Sequence, residues 1–237
     1  MAFTRLLLTL SLVVGTLSAE ARDLTPWKLP PNEWFLPRIP APCAPGTAAD
    51  LADLEFSRKT QAAATPDQIA HANATSRFTV FAFSEVLGPG FTPAAYPLTA
   101  AFFERLAETA NGPKNFLKDT FRRKRPFREH PESIKRLVQD EDGFSYPSGH
   151  STRSRLFARV LGELDPAKRK AFLRCGDRIA NDRIIGGMHY RSDVLASWKL
   201  GDLLFDELIK DHGFLADLAA LKNSEWGGRK PAPTDRR

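Results

Sequence analysis

Thr65-Pro66-Asp67-Gln68-Ile69-Ala70 opens the stretch whose reading decides the fold. A hydroxyl residue, a proline and a glutamine three places after the hydroxyl make a helix start that caps itself. Thr65 covers orphan N–H groups of the first turn, Pro66 needs no donor there, and Gln68 reaches back to the cap. The helix beginning here is expected to run to Leu87 and to stop at Gly88-Pro89-Gly90. The same signals recur on both sides. Upstream, Thr47 with Asp50 starts a helix through Leu51, Leu54 and Glu55. Downstream, Thr92-Pro93 and Pro97 open a helix with Leu98, Phe102, Leu106 and Ala110 at helical spacing, ending at Asn111-Gly112-Pro113, after which Lys114–Phe121 continues helically. Ser148 begins a helix reaching Leu164. Asp165-Pro166 caps one that extends to Ile185 and breaks at Gly186-Gly187. Ser192 caps a last long helix carrying Leu195, Trp198, Leu200, Leu203, Leu204 and Leu208 before His212-Gly213. No alternating run bounded by turn residues interrupts this series. The expectation is all-α: a single-domain helical bundle without internal repeats.

Composition narrows the function classes. The chain has 237 residues, 42% of them hydrophobic and 26% charged, which suits one sizeable core. Two cysteines make no disulfide framework, and Gly and Pro are not periodic, so disulfide scaffolds and collagen-like chains are excluded. Mean hydropathy is −0.32 and there is a single long apolar run, which excludes a polytopic membrane protein. That run lies in residues 1–21: a basic start at Arg5, an apolar Leu6–Leu17 and a small-x-small Ala19-Glu20-Ala21. It reads as a secretory signal peptide and implies a periplasmic or secreted protein with no integral membrane segment after cleavage. Export would expose Cys43 and Cys175 to oxidising conditions; whether they pair is left open, and neither has His or Cys at metal-ligand spacing. Residues 22–46, with seven prolines around Trp27, Trp34 and Phe35, read as a non-helical, extended arm whose aromatics pack on the body. Residues 47–223 form the helical domain, and 224–237 read as a disordered tail. The net charge of +6, from 34 Lys+Arg against 28 Asp+Glu, suits an anionic partner without naming it.

The chemistry concentrates in three segments around a long, aperiodic loop at 122–147. They are Lys118-x6-Arg125-Pro126, then Tyr146-Pro147-Ser148-Gly149-His150-Ser151, then Asp182-Arg183-x5-His189-x3-Asp193. Taken singly, each has a structural reading: a solvated charge run, a turn into a helix, a helix-end histidine near a carboxylate. Together they supply what phosphoryl transfer needs. The transition state carries charge on three equatorial oxygens and wants fixed donors around it. Lys118 offers a point charge, Arg125 and Arg183 offer bidentate forks, and the Ser148 hydroxyl with the Gly149 N–H adds donors at a helix N-terminus. His189, with Asp193 to hold its other ring nitrogen, is the candidate nucleophile, and His150 the candidate acid. His71, His130 and His212 read as surface or packing residues.

In this order, the three motifs resemble the signature of the phosphatidic acid phosphatase type 2 superfamily, and the layout of roughly residues 40–220 looks most like its bacterial class A non-specific acid phosphatases. The resemblance implies an all-helical fold of the acid phosphatase/vanadium haloperoxidase type and a metal-free mechanism through a phosphohistidine on His189. It carries over Lys118, Arg125, Ser148, Gly149, His150, Arg183, His189 and Asp193 as site residues. The activity implied is acid phosphatase: hydrolysis of small-molecule phosphomonoesters, with pyrophosphates as further candidates, no cofactor, and vanadate as an inhibitor. Nucleic acid is not an expected partner, and a homo-oligomer is left open. One departure stands out: Asp182 replaces the usual serine, and it either pairs with Arg183 or points away. The surplus cations Arg122, Arg123, Lys124, Arg153, Arg155 and Arg191 suggest a basic pocket mouth favouring substrates with extra phosphates. Two other functions fit the same residues: a vanadium-dependent haloperoxidase, in which vanadate is the cofactor, and a non-catalytic anion-binding periplasmic protein.

Overall fold

The computed structural model describes residues 25–139 and 141–227; the signal segment and residues 228–237 of the tail lie outside them. Among the described residues there are helices and no strands. The α-helices are α1 (Ala48–Ala62), α2 (Pro66–Ala74), α3 (Ser84–Leu87), α4 (Pro97–Phe121), α5 (Pro126–Glu129), α6 (Gly149–Leu164), α7 (Arg169–Ile185), α8 (Arg191–Leu208) and α9 (His212–Leu221).

The axis of the fold is α6. Its Leu156, Phe157, Val160 and Leu161 are buried, and α7 and α8 lie along it. Each crosses at a glycine. A Cβ at Gly176 of α7 would sit 2.9 Å from the Ser154 carbonyl oxygen, and one at Gly201 of α8 would sit 2.9 Å from that of Thr152. Any side chain there would push the helix off α6, so both positions hold the register of the bundle. On the other side, α4 supplies Phe102, Phe103, Leu106 and Leu117 to the same core. The arm covers it: Trp27 packs on Phe102 and Phe214, and Phe35 is fully buried. The arm is not wholly extended, since Asn32–Arg38 forms a 3-10 helix.

Locally written starts are seen as expected. Thr65 and Gln68 make the reciprocal capping box, and the side chains of Thr47 and Ser148 accept from the N–H groups of Asp50 and Ser151. Several ends differ. The helix from Pro66 stops at Ala74, not Leu87, and 3-10 turns at Thr75–Arg77 and Val80–Phe83 precede the single turn α3. Ser76 donates its hydroxyl to the Asn73 carbonyl and Thr79 accepts from the Phe81 N–H, local bonds that compete with the helical ladder. Conversely, α4 runs through Asn111-Gly112-Pro113 without a break. Ala110, Pro113 and Leu117 are all buried, so core contacts on both sides of the proline outweigh its lost hydrogen bond. Tyr190, not Ser192, is the N-cap residue of α8, and α9, capped by Asp211, was not anticipated.

Residues 224–226, expected to belong to a disordered tail, are helical. Lys222–Trp226 is a π-helical turn, and Trp226 is buried against Phe91 and Tyr96 with its indole N–H bonded to Thr99. The carboxylate of Glu225 accepts from the N–H groups of Leu98 and Thr99, both at 2.8 Å, supplying the cap that Tyr96 does not give α4. The end of the described chain thus closes the beginning of α4. Replacing Trp226 with Ala should cost about 3 kcal/mol through lost burial, and Glu225→Ala about 1 kcal/mol through the lost cap. Urea unfolding midpoints at unchanged m-value will measure both.

Candidate active site

Helix ends bring the three motifs together. Lys118 comes from the last turn of α4, and Arg125 from the residue preceding α5. Ser148, Gly149 and His150 form the N-terminus of α6, Arg183 lies at the C-terminal end of α7, and Asp193 in the first turn of α8. His189 sits on the short connection between α7 and α8. A cavity of about 460 Å³ is lined by Lys118, Arg125, Gly149 and His150 among others, while Arg183 and His189 are 0% and 1% exposed.

The histidines have defined partners. Arg125 Nη1 lies 3.1 Å from His189 Nε2; a guanidinium only donates, so Nε2 accepts and carries the lone pair. The proton is therefore on Nδ1. Asp193 Oδ2 is 3.6 Å from Nδ1, too far for a hydrogen bond, and Ser145 stands between them. Its hydroxyl is 3.3 Å from Nδ1 and donates to Asp193 Oδ2 at 2.5 Å. Ser145 is thus a member of the site that motif reading missed. Burial, then the Arg125, Lys118 and Arg183 charges, hold His189 well below the ordinary histidine value, keeping it neutral. His150 Nε2 donates to the Ser76 carbonyl at 3.0 Å, which leaves Nδ1 facing the cavity. Burial and the Arg183 and Arg153 charges likewise hold His150 well below its ordinary value.

Asp193 is oriented from three directions. Oδ2 accepts from Ser145 and from the Tyr190 N–H at 2.8 Å, and Oδ1 from Arg123 at 2.8 Å. Arg123 also meets Asp53 at 3.0 Å and Asp50 at 3.2 Å on α1, and stacks on Tyr190. The sequence places it at the pocket mouth; instead it is a buried strut behind Asp193. Its signal was the pair of aspartates three apart on α1, legible only once α1 is known to lie beside α8. Of the other surplus cations, Arg122 stacks on Phe144, Arg191 on Phe56, and Arg155 pairs with Asp202. Only Arg153 lines the cavity, joined by Lys114, which the motifs did not single out.

Asp182 points away from Arg183. Its Oδ2 accepts from Thr75 at 2.8 Å and meets His71 Nδ1 at 2.8 Å, while His71 Nε2 contacts Glu85. His71 is therefore a clamp between α2, α3 and α7 and not a surface residue. Ser148 is fully buried; its Oγ accepts from the Ser151 N–H and hydroxyl, and the Gly149 and His150 N–H groups stay outside the helix ladder. Lys118 Nζ donates to the Phe144 carbonyl; burial, and then the Arg125 charge, push its ammonium down to about 7.

One unanticipated group completes the picture. Glu141, from the long loop, puts Oε1 2.8 Å from Arg183 Nη2 and 3.3 Å from His150 Nδ1, with Oε2 3.5 Å from Arg125 Nη2. A carboxylate of the chain itself occupies the point where the cations converge. Nε and Nη1 of Arg183 are buried with no hydrogen-bond partner among the described residues. The arrangement is a cradle for a tetrahedral oxyanion beside a neutral imidazole lone pair. Among the described residues no group of three or more His, Cys, Asp or Glu could hold a metal ion, and Cys43 and Cys175 are both free thiols. No described helix is long and apolar enough to cross a membrane.

The family model of the PAP2 superfamily matches residues 96–208. The non-specific acid phosphatase of Salmonella typhi is 32% identical over 150 residues, 59% of this chain and 58% of that protein. The acid phosphatase of Zymomonas mobilis is 30% identical over 145 residues, 60% and 54% of the two chains. The lipid A 1-phosphatase of Rhizobium etli is 40% identical over 57 residues, 24% of this chain and 25% of that one. The matches to the acid phosphatases span less than two thirds of their length. Residues 96–208, just under half of the chain, carry all three motifs and are similar to the PAP2 superfamily.

Proposed function

We propose that this protein is an exported phosphatase that hydrolyses phosphomonoesters through a phosphohistidine on His189, without a metal. The observation that carries the reading is the fixed His189 tautomer: Nε2 holds a lone pair among guanidinium donors, and Nδ1–H is held by Ser145 and, through it, Asp193. The acid phosphatases similar to this chain support the substrate class.

The proposed reaction transfers the phosphoryl group to His189 and then to water. Substrate displaces the Glu141 carboxylate, and its phosphoryl oxygens take donors from Lys118, Arg125, Arg183, the Ser148 hydroxyl and the Gly149 N–H. The bound dianion reverses the positive field around His150, so Nδ1 takes up a proton as substrate arrives. His189 Nε2 attacks phosphorus, the P–O ester bond breaks, and His150 gives its proton to the departing alkoxide. The Ser145–Asp193 relay carries the positive charge that forms on the His189 ring. Water, deprotonated by His150, then attacks phosphorus, the N–P bond breaks, and orthophosphate and neutral His189 are restored.

Hydrolysis of p-nitrophenyl phosphate that survives EDTA and is blocked by vanadate is the expected result, with His189→Ala slower by about 10³-fold or more. No hydrolysis by the parent at acidic or neutral pH, or full activity in His189→Ala, would overturn the reading.

Two further outcomes follow. Lys118 is charged below pH 7 and loses its proton as pH rises through about 7. kcat/KM, which reports the free enzyme, should therefore decline on that limb. Lys118→Arg, which keeps its charge, should flatten the limb relative to its own acid-side value. Removing the internal competitor by Glu141→Gln should tighten inhibition by orthophosphate and vanadate about three- to tenfold; weaker inhibition would mean that Glu141 builds the cradle instead of occupying it.

A further inference from the structure

Two cations line the cavity outside the phosphoryl cradle. Lys114 lies one turn before Lys118 on α4, and Arg153 one turn after His150 on α6, so each extends its helix face from the cradle towards the mouth. Lys114 crosses the start of α6: a Cβ at Gly149 would lie 3.2 Å from its Cδ and 3.9 Å from its Nζ. Its ammonium donates to the Asn111 amide oxygen at 2.7 Å, a neutral acceptor. Arg153 has no hydrogen-bond or ion-pair partner among the described residues; its guanidinium lies 5.8 Å from the centre of the Phe78 ring.

The carboxylates that both cations feel are Glu141 and Glu108. Glu141 is taken up by Arg183, and Glu108 accepts from Asn111 at 3.1 Å. Burial, and then the Arg153 charge, lower Lys114 from its ordinary value. Two like charges kept in reach of each other, neither matched by its own carboxylate, offer donors suited to an anion.

We propose that Lys114 and Arg153 form a second anion subsite, and that the substrates favoured by this site carry a second phosphate next to the scissile one, as diphosphates do. The proposal rests on the phosphatase reading and specifies its substrate class. The terminal phosphorus occupies the cradle and the inner phosphate meets Lys114 and Arg153. His189 Nε2 bonds to the terminal phosphorus as the P–O bond to the bridging oxygen breaks, and the electron pair leaves on the inner phosphate. That leaving group departs as a stabilised anion, so it needs no proton from His150. Water then releases orthophosphate from His189, as for a monoester.

The test compares inorganic pyrophosphate with p-nitrophenyl phosphate as substrates, and methylenediphosphonate with orthophosphate as ligands in calorimetry. In Arg153→Gln and in Lys114→Gln, the ratio of kcat/KM for pyrophosphate to that for the monoester should drop about tenfold or more, the weight of a charge-assisted hydrogen bond. Arg153→Lys should keep most of it. The parent should bind methylenediphosphonate about tenfold more tightly than orthophosphate, and both Gln variants should lose that preference. A ratio unchanged within about threefold, or a parent with no preference for the diphosphonate, overturns the subsite while leaving monoester hydrolysis standing. A parent that prefers the diphosphonate yet hydrolyses neither substrate keeps the subsite and sinks the phosphatase reading.

Discussion

Everything at this site depends on holding like charges together out of water. Arg125 and Arg183 are 2% and 0% exposed, Lys118 is half-buried beside them, and between them stands a carboxylate that the chain itself lends. Desolvating several cations is costly without compensation. The fold meets that cost with geometry: the α6 N-terminus, the ends of α4 and α7 and the start of α8 are pinned by the close crossings at Gly176 and Gly201. A bundle even slightly looser would let the guanidinium groups drift apart and hydrate. Close packing is thus the precondition of the electrostatics.

The same field decides the state of the histidines. Surrounded by guanidinium and ammonium groups, a buried imidazole keeps its lone pair. The negative charge that would reverse this, Asp193, is set one hydroxyl away from His189 and neutralised from behind by Arg123. Arg123 in turn is matched by Asp50 and Asp53. The charge is balanced in shells, with the positive excess confined to the face that meets the anion.

How much of this was legible in the sequence depends on the reach of each interaction. Thr65 with Gln68, Thr47 with Asp50 and Ser148 with Ser151 act over three residues, and these starts were readable. The ends at Ala74 and through Pro113 were not, because hydroxyls folding back on their own backbone decide one and burial on both sides of a proline decides the other. In the site, the residues of the three motifs come together because each sits at or beside the end of a helix that packs on α6 or its neighbours. Ser145, Arg123 and Glu141 reach their partners across 48, 70 and 42 positions, with nothing local to announce them. A charge run such as Arg122-Arg123-Lys124 reads as one patch in sequence, yet the left-handed turn at Arg122 sends its members to different places.

In the proposed reaction Glu141 bears on the end of the cycle as well as its beginning. A tethered carboxylate competes with every anion that reaches Arg125 and Arg183, the orthophosphate left after hydrolysis included. It weakens substrate and product affinity by the same factor, so more substrate is needed for a given rate, while a given level of product takes away a smaller fraction of that rate. A cradle without it would be more fully occupied by product at the same phosphate concentration. With it, the chain carries its own displacing ion, and turnover becomes less sensitive to the phosphate content of the surroundings.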